Sequence, residues 1–301
     1  MPSTTSHPSG ASTTKSSRGF EIDLIGRETA RYPEQLLDLS HVPKSLFCIG
    51  DIGLLTGPMI SIVGTRDPTP YGERTSRELA RAFATNGVTL VSGMARGIDA
   101  IVHRTALECD GKTIAVLGTG IDVPYPAGHR ELHRIIASRG LVMSENGPGV
   151  APYKGAFPRR NRIIAAIGRA TVVIEAGHKS GALNTASHAM EIGRPVAALP
   201  GPIDSPQSAG TNHLIRDGSI VIASVDDALA LMGLSGAPAI EPIQLSDVEA
   251  RVWSALGGSS IRMDALATAA RLSARECMTV VTMLELRGLI ECLVSGEVRR
   301  R

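Results

Sequence analysis

The chain has 301 residues and a net charge of +2, from 31 Lys and Arg against 29 Asp and Glu, so no global charge excess selects a partner, and a nucleic-acid site would need a local basic cluster. Hydrophobic residues make up 43% and charged residues 20%, the balance of a soluble globular protein with one sizeable α/β domain and something smaller. Aromatics are only 3%, and Cys48, Cys109, Cys277 and Cys292 form no Cys-x-x-Cys pair, which argues against zinc and redox motifs and for small buried thiols in a reducing compartment. No apolar run reaches membrane-spanning length and the N-terminus lacks the apolar core of a signal peptide. A cytoplasmic location with no membrane partner is therefore expected.

In chain order, residues 1–18 are Ser/Thr-rich with almost no large apolar residue and read as a disordered tail. Residues 19–58 carry a few apolar anchors around Tyr32-Pro33 and Pro43 to Phe47 and read as short helical or turn segments packing on the next domain. From Met59 to Ser224 one pattern recurs. Apolar runs end in glycine-rich turns: Met59 to Val63 in Gly64-Thr65-Arg66, Val88 to Val91 in Ser92-Gly93, Thr113 to Leu117 in Gly118 to Gly120, Thr171 to Ile174 in Glu175 to Gly181, and Pro195 to Leu199 in Pro200-Gly201. Helical stretches are predicted at 73–85, 97–108, 129–137, 162–167, 184–192 and 226–231, further strands near 141–143 and 219–223, and a Pro/Gly/basic loop over 151–161.

Strand–helix alternation of this kind predicts an α/β fold, an extended Rossmann-like doubly wound, mostly parallel sheet over 59–233. A Gly/Pro linker comes next at 234–245. Residues 246–301 predict three helices, 247–256, 263–270 and 274–287, and a small hairpin, the outline of a winged helix. Ser273 with Glu276 three residues on is a capping-box signal for the third.

Ligands of such a sheet sit outside the carboxyl ends of the strands, where this chain places its glycines, hydroxyls and cations. Gly64, Thr65 and Arg66 could hold a phosphate with backbone amides and a guanidinium, or form a plain strand–helix turn. The loop from Ser92 and Gly93 to Arg96 and Gly97 is a second such turn, in which Asp99 could hold loop geometry; His103, a turn down the helix, reads as structural. Residues 154–162 gather Lys154, Arg159, Arg160 and Arg162, with Asn161, around a rare aromatic, Phe157. Cations that neutralise phosphates beside a ring that stacks a base suit a single strand of nucleic acid. Lys179, Ser180 and Gly181 sit at a predicted helix start, a favourable place for an anion. Glu175 could act as a general base, with Glu145 as a partner, or anchor its loop. There is no Gly-x-Gly-x-x-Gly, no metal-ligand spacing and no nucleophile–base arrangement. No cofactor and no metal are expected, and binding is favoured over catalysis.

Taken in order, the motifs resemble those of the bacterial DNA-processing protein A (DprA/Smf) family. They are Tyr32-Pro33; Ile62 to Arg66 with Tyr71-Gly72; Ser92 to Asp99 with His103; Val116 to Asp122 with Tyr125-Pro126; Ser144-Glu145; Phe157 to Ile164; Glu175-Ala176; Ser180-Gly181; Thr185-Ala186; Gly193-Arg194; Pro200-Gly201; and Gly210 to Asn212. The resemblance spans about residues 32–233 and, more loosely, the C-terminal unit; Met94 stands where Leu is usual. It implies a protein that binds and protects single-stranded DNA, loads RecA recombinase onto it in transformation and related recombination, and forms a homodimer through the Rossmann-like domain. It also implies that Arg66, Lys154 and Phe157 belong to the DNA pocket. The expected mechanism places Arg66, Arg96, Lys154, Arg160 and Lys179 around one positive pocket. The alternative is a nucleotide-binding phosphoribohydrolase-like enzyme, whose paired-glycine motif is replaced here by Phe157 to Arg162. A transcription regulator acting through the winged helix is a weaker third reading.

Overall fold

A computed structural model describes residues 12–15, 21–234, 245–256, 260–293 and 295–300. Ten strands form one sheet in the order β1-β2-β3-β7-β6-β5-β4-β8-β9-β10. They are β1 (Ser12–Lys15), β2 (Glu21–Gly26), β3 (Ser45–Gly50), β4 (Met59–Val63), β5 (Thr89–Ser92), β6 (Thr113–Gly120), β7 (Leu141–Asn146), β8 (Thr171–Val173), β9 (Val196–Ala198) and β10 (Ile220–Val221). From β7 to β10 all pairings are parallel. The first three strands add an antiparallel extension through the pairing of β3 with β7.

The helices between them are α1 (Pro70–Thr85), α2 (Ile98–Glu108), α3 (Arg130–Arg139), α4 (Ala156–Ile167), α5 (Gly181–Glu191), α6 (Ala209–Arg216) and α7 (Val225–Ala230). The two-residue period of β4 sorts them onto two faces. Met59 and Val63 join the core packed by α4 and α5, while Ile60 and Ile62 join the one packed by α1 and α2. Ser61, between them, satisfies its buried hydroxyl by donating to Ile164 O at 2.6 Å. The sheet is thus covered on both sides, the doubly wound arrangement expected.

Beyond it, α8 (Asp247–Leu256), α9 (Met263–Ala269) and α10 (Ala274–Leu286) pack with β11 (Ile261–Arg262), β12 (Ile290–Cys292) and β13 (Glu297–Arg300), a three-stranded sheet in the order β11-β13-β12. This is a winged helix with its own core, including Val252, Leu266, Val281 and Val298. Ser273 caps α10 in a reciprocal capping box with Glu276.

Three local expectations change. Residues 19–58 are not simply helical. Besides short 3-10 turns at Glu34–Asp38 and Ile52–Thr56 they supply β2 and β3, because Leu46 and Cys48 alternate inward and β7 would otherwise be an unpaired edge. Within the expected tail, Ser12–Lys15 forms β1; the rest of 1–18, apart from those four residues, lies outside the described residues, as does nearly all of the linker at 234–245. The expected loop over 151–161 gives way to helix from Ala156. Gly155, at φ +89°, forms the N-cap, and Pro158 falls in the first turn, where a missing N–H breaks no intrahelical bond.

Candidate functional site

The strand order reverses at β4. The chain runs outward through β5, β6 and β7, then returns to lay β8 against the other side of β4. Such a switch point leaves a crevice at the carboxyl ends of the strands, and a cavity of about 570 Å³ lies there. Its walls include Gly64 and Arg66 after β4, Phe157 and Asn161 on α4, and Lys179 and Gly181 at the start of α5.

The seam is held from beneath. Thr65 N donates to Glu175 O at 2.7 Å and Ile98 N to Thr65 O at 3.2 Å. The Glu175 carboxylate accepts from Thr69 N (2.9 Å) and Thr69 Oγ1 (2.5 Å), Thr69 being the N-cap of α1. Burial pushes the Glu175 carboxyl up and these two donors hold it down, so it acts as a loop anchor. Glu145 meets Arg159 (3.1 Å) and Arg162 (2.6 Å), so its carboxylate is engaged on another wall. Gly64 is needed because a Cβ there would lie 2.5 Å from Ile98 Cγ1. Gly97 has φ +75°, and a Cβ on it would sit 2.7 Å from the Arg66 carbonyl carbon.

Phe157 is half-buried. Its ring packs against Tyr125 with centroids 5.0 Å apart and planes at 33°. The Arg66 guanidinium carbon lies 5.9 Å from the same centroid, within cation–π range. Opposite, Ser180 caps α5 by accepting from Ala182 N at 3.3 Å. Asn161 donates to Gly181 O (3.1 Å) and Asn184 Oδ1 (3.2 Å), which ties α4 to the first turn of α5. Cations, a helix start and a supported ring therefore face one another across the seam. The set offers hydrogen-bond donors, positive charge and a π-face. Among the described residues no group of His, Cys, Asp and Glu could hold a metal ion.

Of the residues singled out from the sequence, Gly64, Thr65, Arg66, Phe157, Asn161, Lys179, Ser180 and Gly181 share this cavity. Arg96 and Lys154 are exposed on loops outside its wall. Ser92 is buried, its hydroxyl donating to Ile62 O at 2.7 Å.

Arg160 does not line the pocket as expected. It is 6% exposed, and its Nη1 donates to Gly93 O at 2.8 Å and to Val116 O. A Cβ on Gly93 would lie 2.5 Å from the Arg160 Nη2. Its charge faces Asp99, which accepts from Gly93 N (3.1 Å) and Ala95 N (3.3 Å). Burial drives the Asp99 carboxyl up and pulls the Arg160 guanidinium down to about 10, still charged at neutral pH. The pair braces the second loop from below. Arg162 is also buried and turns to a neighbouring cavity with Glu145. The sequence shows the cations of this stretch but carries no measure of their depth.

His103 is structural. Thr113 Oγ1 donates to Leu90 O at 2.8 Å, so its oxygen accepts from His103 Nδ1 at 2.7 Å. Wall residues not expected as part of the site include Asn184 and Thr185, and the stack of Tyr125 on Phe157 was not expected either. The rarity of aromatics was the only signal for the stack.

The family model described as DNA recombination-mediator protein A matches residues 23–233, and that of the DprA winged helix domain matches 236–296. A putative DNA processing protein DprA of Mycobacterium tuberculosis is 40% identical over 262 residues, 84% of this chain and 67% of that protein. The crystal structure of DNA processing protein A from Streptococcus pneumoniae superposes with a TM-score of 0.67 at 41% identity, covering 69% of this chain and 73% of that one. The solved structure of DNA processing protein A from Helicobacter pylori, a protein with a unique single-stranded DNA binding mode, gives 0.65 at 33% identity, covering 71% and 97%.

Proposed function

The chain belongs to the DNA recombination-mediator protein A (DprA/Smf) family, and on that premise we propose that it binds single-stranded DNA at the seam between β4 and β8. In this reading it protects the strand and loads RecA recombinase onto it in transformation or related recombination, acts without catalysis, works as a homodimer and resides in the cytoplasm. The DNA-binding domain is 59–233, joined by the linker 234–245 to the winged helix 246–301.

The observation that carries the reading is the convergence of Arg66, Lys179 and the start of α5 around the half-buried Phe157 ring. Phosphates meet the cations and the helix amides, and one base lies on the ring. Arg96 and Lys154, exposed on the flanking loops, extend the positive field to the strand as it enters. Arg160 holds the loop geometry from beneath, outside the pocket wall, while Asp99, which borders the pocket, is engaged by the amides of Gly93 and Ala95. With few rings available, affinity comes mainly from charge and from two linked pockets per dimer.

Fluorescence anisotropy with labelled poly-dT and a matching duplex over a salt series tests this. Each phosphate neutralised on a single strand contributes a slope of about −0.7 in log K against log salt. Arg66→Ala and Lys154→Ala should each flatten the slope by about that much and weaken all sequences alike. Phe157→Ala should weaken binding by about 1–3 kcal/mol with the slope unchanged. Affinity that ignores salt, or survives all three changes, refutes the site. Release of base from a mononucleotide would instead favour the hydrolase alternative.

A further inference from the structure

We propose that a second cavity on the same rim, between residues 41–45, α4 and α5, is a phosphate-binding subsite for the strand as it leaves the first pocket. The proposal rests on the single-strand reading and extends it. The cavity measures about 680 Å³ and is walled by His41, Lys44, Glu145, Arg159, Arg162 and His188. Its position is set by the register: β3 runs antiparallel to β7 with Phe47 opposite Ser144. This places the segment before β3 beside the carboxyl end of β7, where Glu145 stands. Pro158 borders both cavities, so only the first turn of α4 divides them.

Three cations line this cavity against one carboxylate, and that carboxylate is already engaged. Its Oε1 accepts from Arg159 and its Oε2 from Arg162. Lys44 is exposed on the opposite wall. The Arg162 side chain is only 9% exposed, and its Nη1 has no acceptor. A buried donor of this kind is unusual unless something supplies the missing oxygen. Glu145 fixes the guanidinium plane and leaves the other amino group to be filled. A guanidinium held this way, with a flexible ammonium opposite, suits the oxygens of a phosphate group. His41 adds a ring nitrogen at the edge, and His188, whose Nδ1 is held by Glu191 at 3.0 Å, closes the wall. A phosphate can come from the bound strand or from solution. The shared wall at Pro158 favours the strand, since a single-strand groove must track the backbone past one pocket.

The test uses the full chain and oligo-dT of increasing length, from about 4 to about 16 nucleotides. Anisotropy is measured for wild type, Lys44→Glu, Arg162→Gln and Arg66→Ala. Lys44→Glu should leave the shortest strands unchanged, weaken the long ones about tenfold and lower their salt slope by about 0.7. Arg162→Gln should do the same, read only on protein with the wild-type melting temperature; Lys44→Glu, at an exposed position, carries the test otherwise. If Lys44→Glu leaves every length unchanged while Arg66→Ala abolishes binding, the second subsite is wrong and the first pocket stands. If Arg66→Ala is without effect at every length, the first reading fails on its own. Calorimetry with inorganic phosphate and with thymidine monophosphate separates the sources. Binding of either that Lys44→Glu removes, with DNA affinity independent of length, overturns the strand path in favour of a free phosphate.

Discussion

Replacing Arg160 with Met separates a buried brace from a ligand contact. The change removes the guanidinium that donates to Gly93 O and Val116 O and leaves the Asp99 carboxylate inside the protein with the Gly93 and Ala95 amides and the Ser92 hydroxyl but no opposite charge. Methionine fills much of the volume but none of the hydrogen bonds. Leaving a buried charge without its opposite typically costs about 3–5 kcal/mol, a large share of the roughly 5–15 kcal/mol that holds a domain together. With a urea dependence of about 2 kcal/mol per molar, the midpoint should fall by about 2 M. Asp99→Asn keeps an oxygen for Gly93 N and Ala95 N but removes the charge. The double variant should therefore lose less than the sum of the two, by about 1–3 kcal/mol. Equilibrium urea unfolding followed by circular dichroism measures all four proteins. A salt series on the folded fraction should show a slope equal to wild type, because no phosphate contact is lost. A midpoint within about 0.5 M of wild type, together with a flatter salt slope, would refute the brace and return Arg160 to the DNA.

His103 gives a pH-dependent counterpart. Burial, then the nearby charges of His129 and Arg160, lower its pKa to about 3. Below about 6.5 the unfolded chain takes up a proton that the native imidazole refuses until about pH 3, so this residue makes stability fall as pH drops through that window. At 1.36 kcal/mol per unit, the loss by pH 5 is about 2 kcal/mol. His103→Asn should remove that part of the difference between urea midpoints at pH 7 and pH 5, and an unchanged difference would overturn the assignment. Gly97→Ala should cost about 1–3 kcal/mol and weaken single-strand binding, because the new methyl group must push the Arg66 backbone away. Wild-type affinity in a folded Gly97→Ala protein would show that the position of Arg66 is not critical.

Much of this architecture was legible because burial writes itself into short apolar runs. Met59 to Val63 and Thr171 to Val173 read as strands without help, and the glycines after them marked the crevice. The start of α4 was not legible. Pro158 and the surrounding charges look like a loop until Gly155 is seen to cap a helix. The roles of Arg159, Arg160 and Arg162 diverged for a related reason. Neighbours on a helix point in different directions, one pairing with Glu145 at the surface, one plugging the sheet, one lying against a second cavity. Sequence adjacency carries charge but not depth. The contact of Tyr125 with Phe157 links positions separated by a strand and a helix, and no local pattern announces it. Strand β3 was readable in principle from its alternation, yet its edge-covering purpose depends on β7, almost a hundred residues later.

The seam between β4 and β8 has a consequence in time. A ribosome makes Arg66 early, but the wall that faces it, from Phe157 to Gly181, emerges more than ninety residues later. Until β8 slots in beside β4 and Glu175 reaches Thr69, the early loop has no opposing surface. A partly synthesised or truncated chain therefore carries the cations without the cleft. The proposed grip on a ligand there would be a property of the finished fold alone, and binding at this seam would double as a readout that the two halves of the sheet have met.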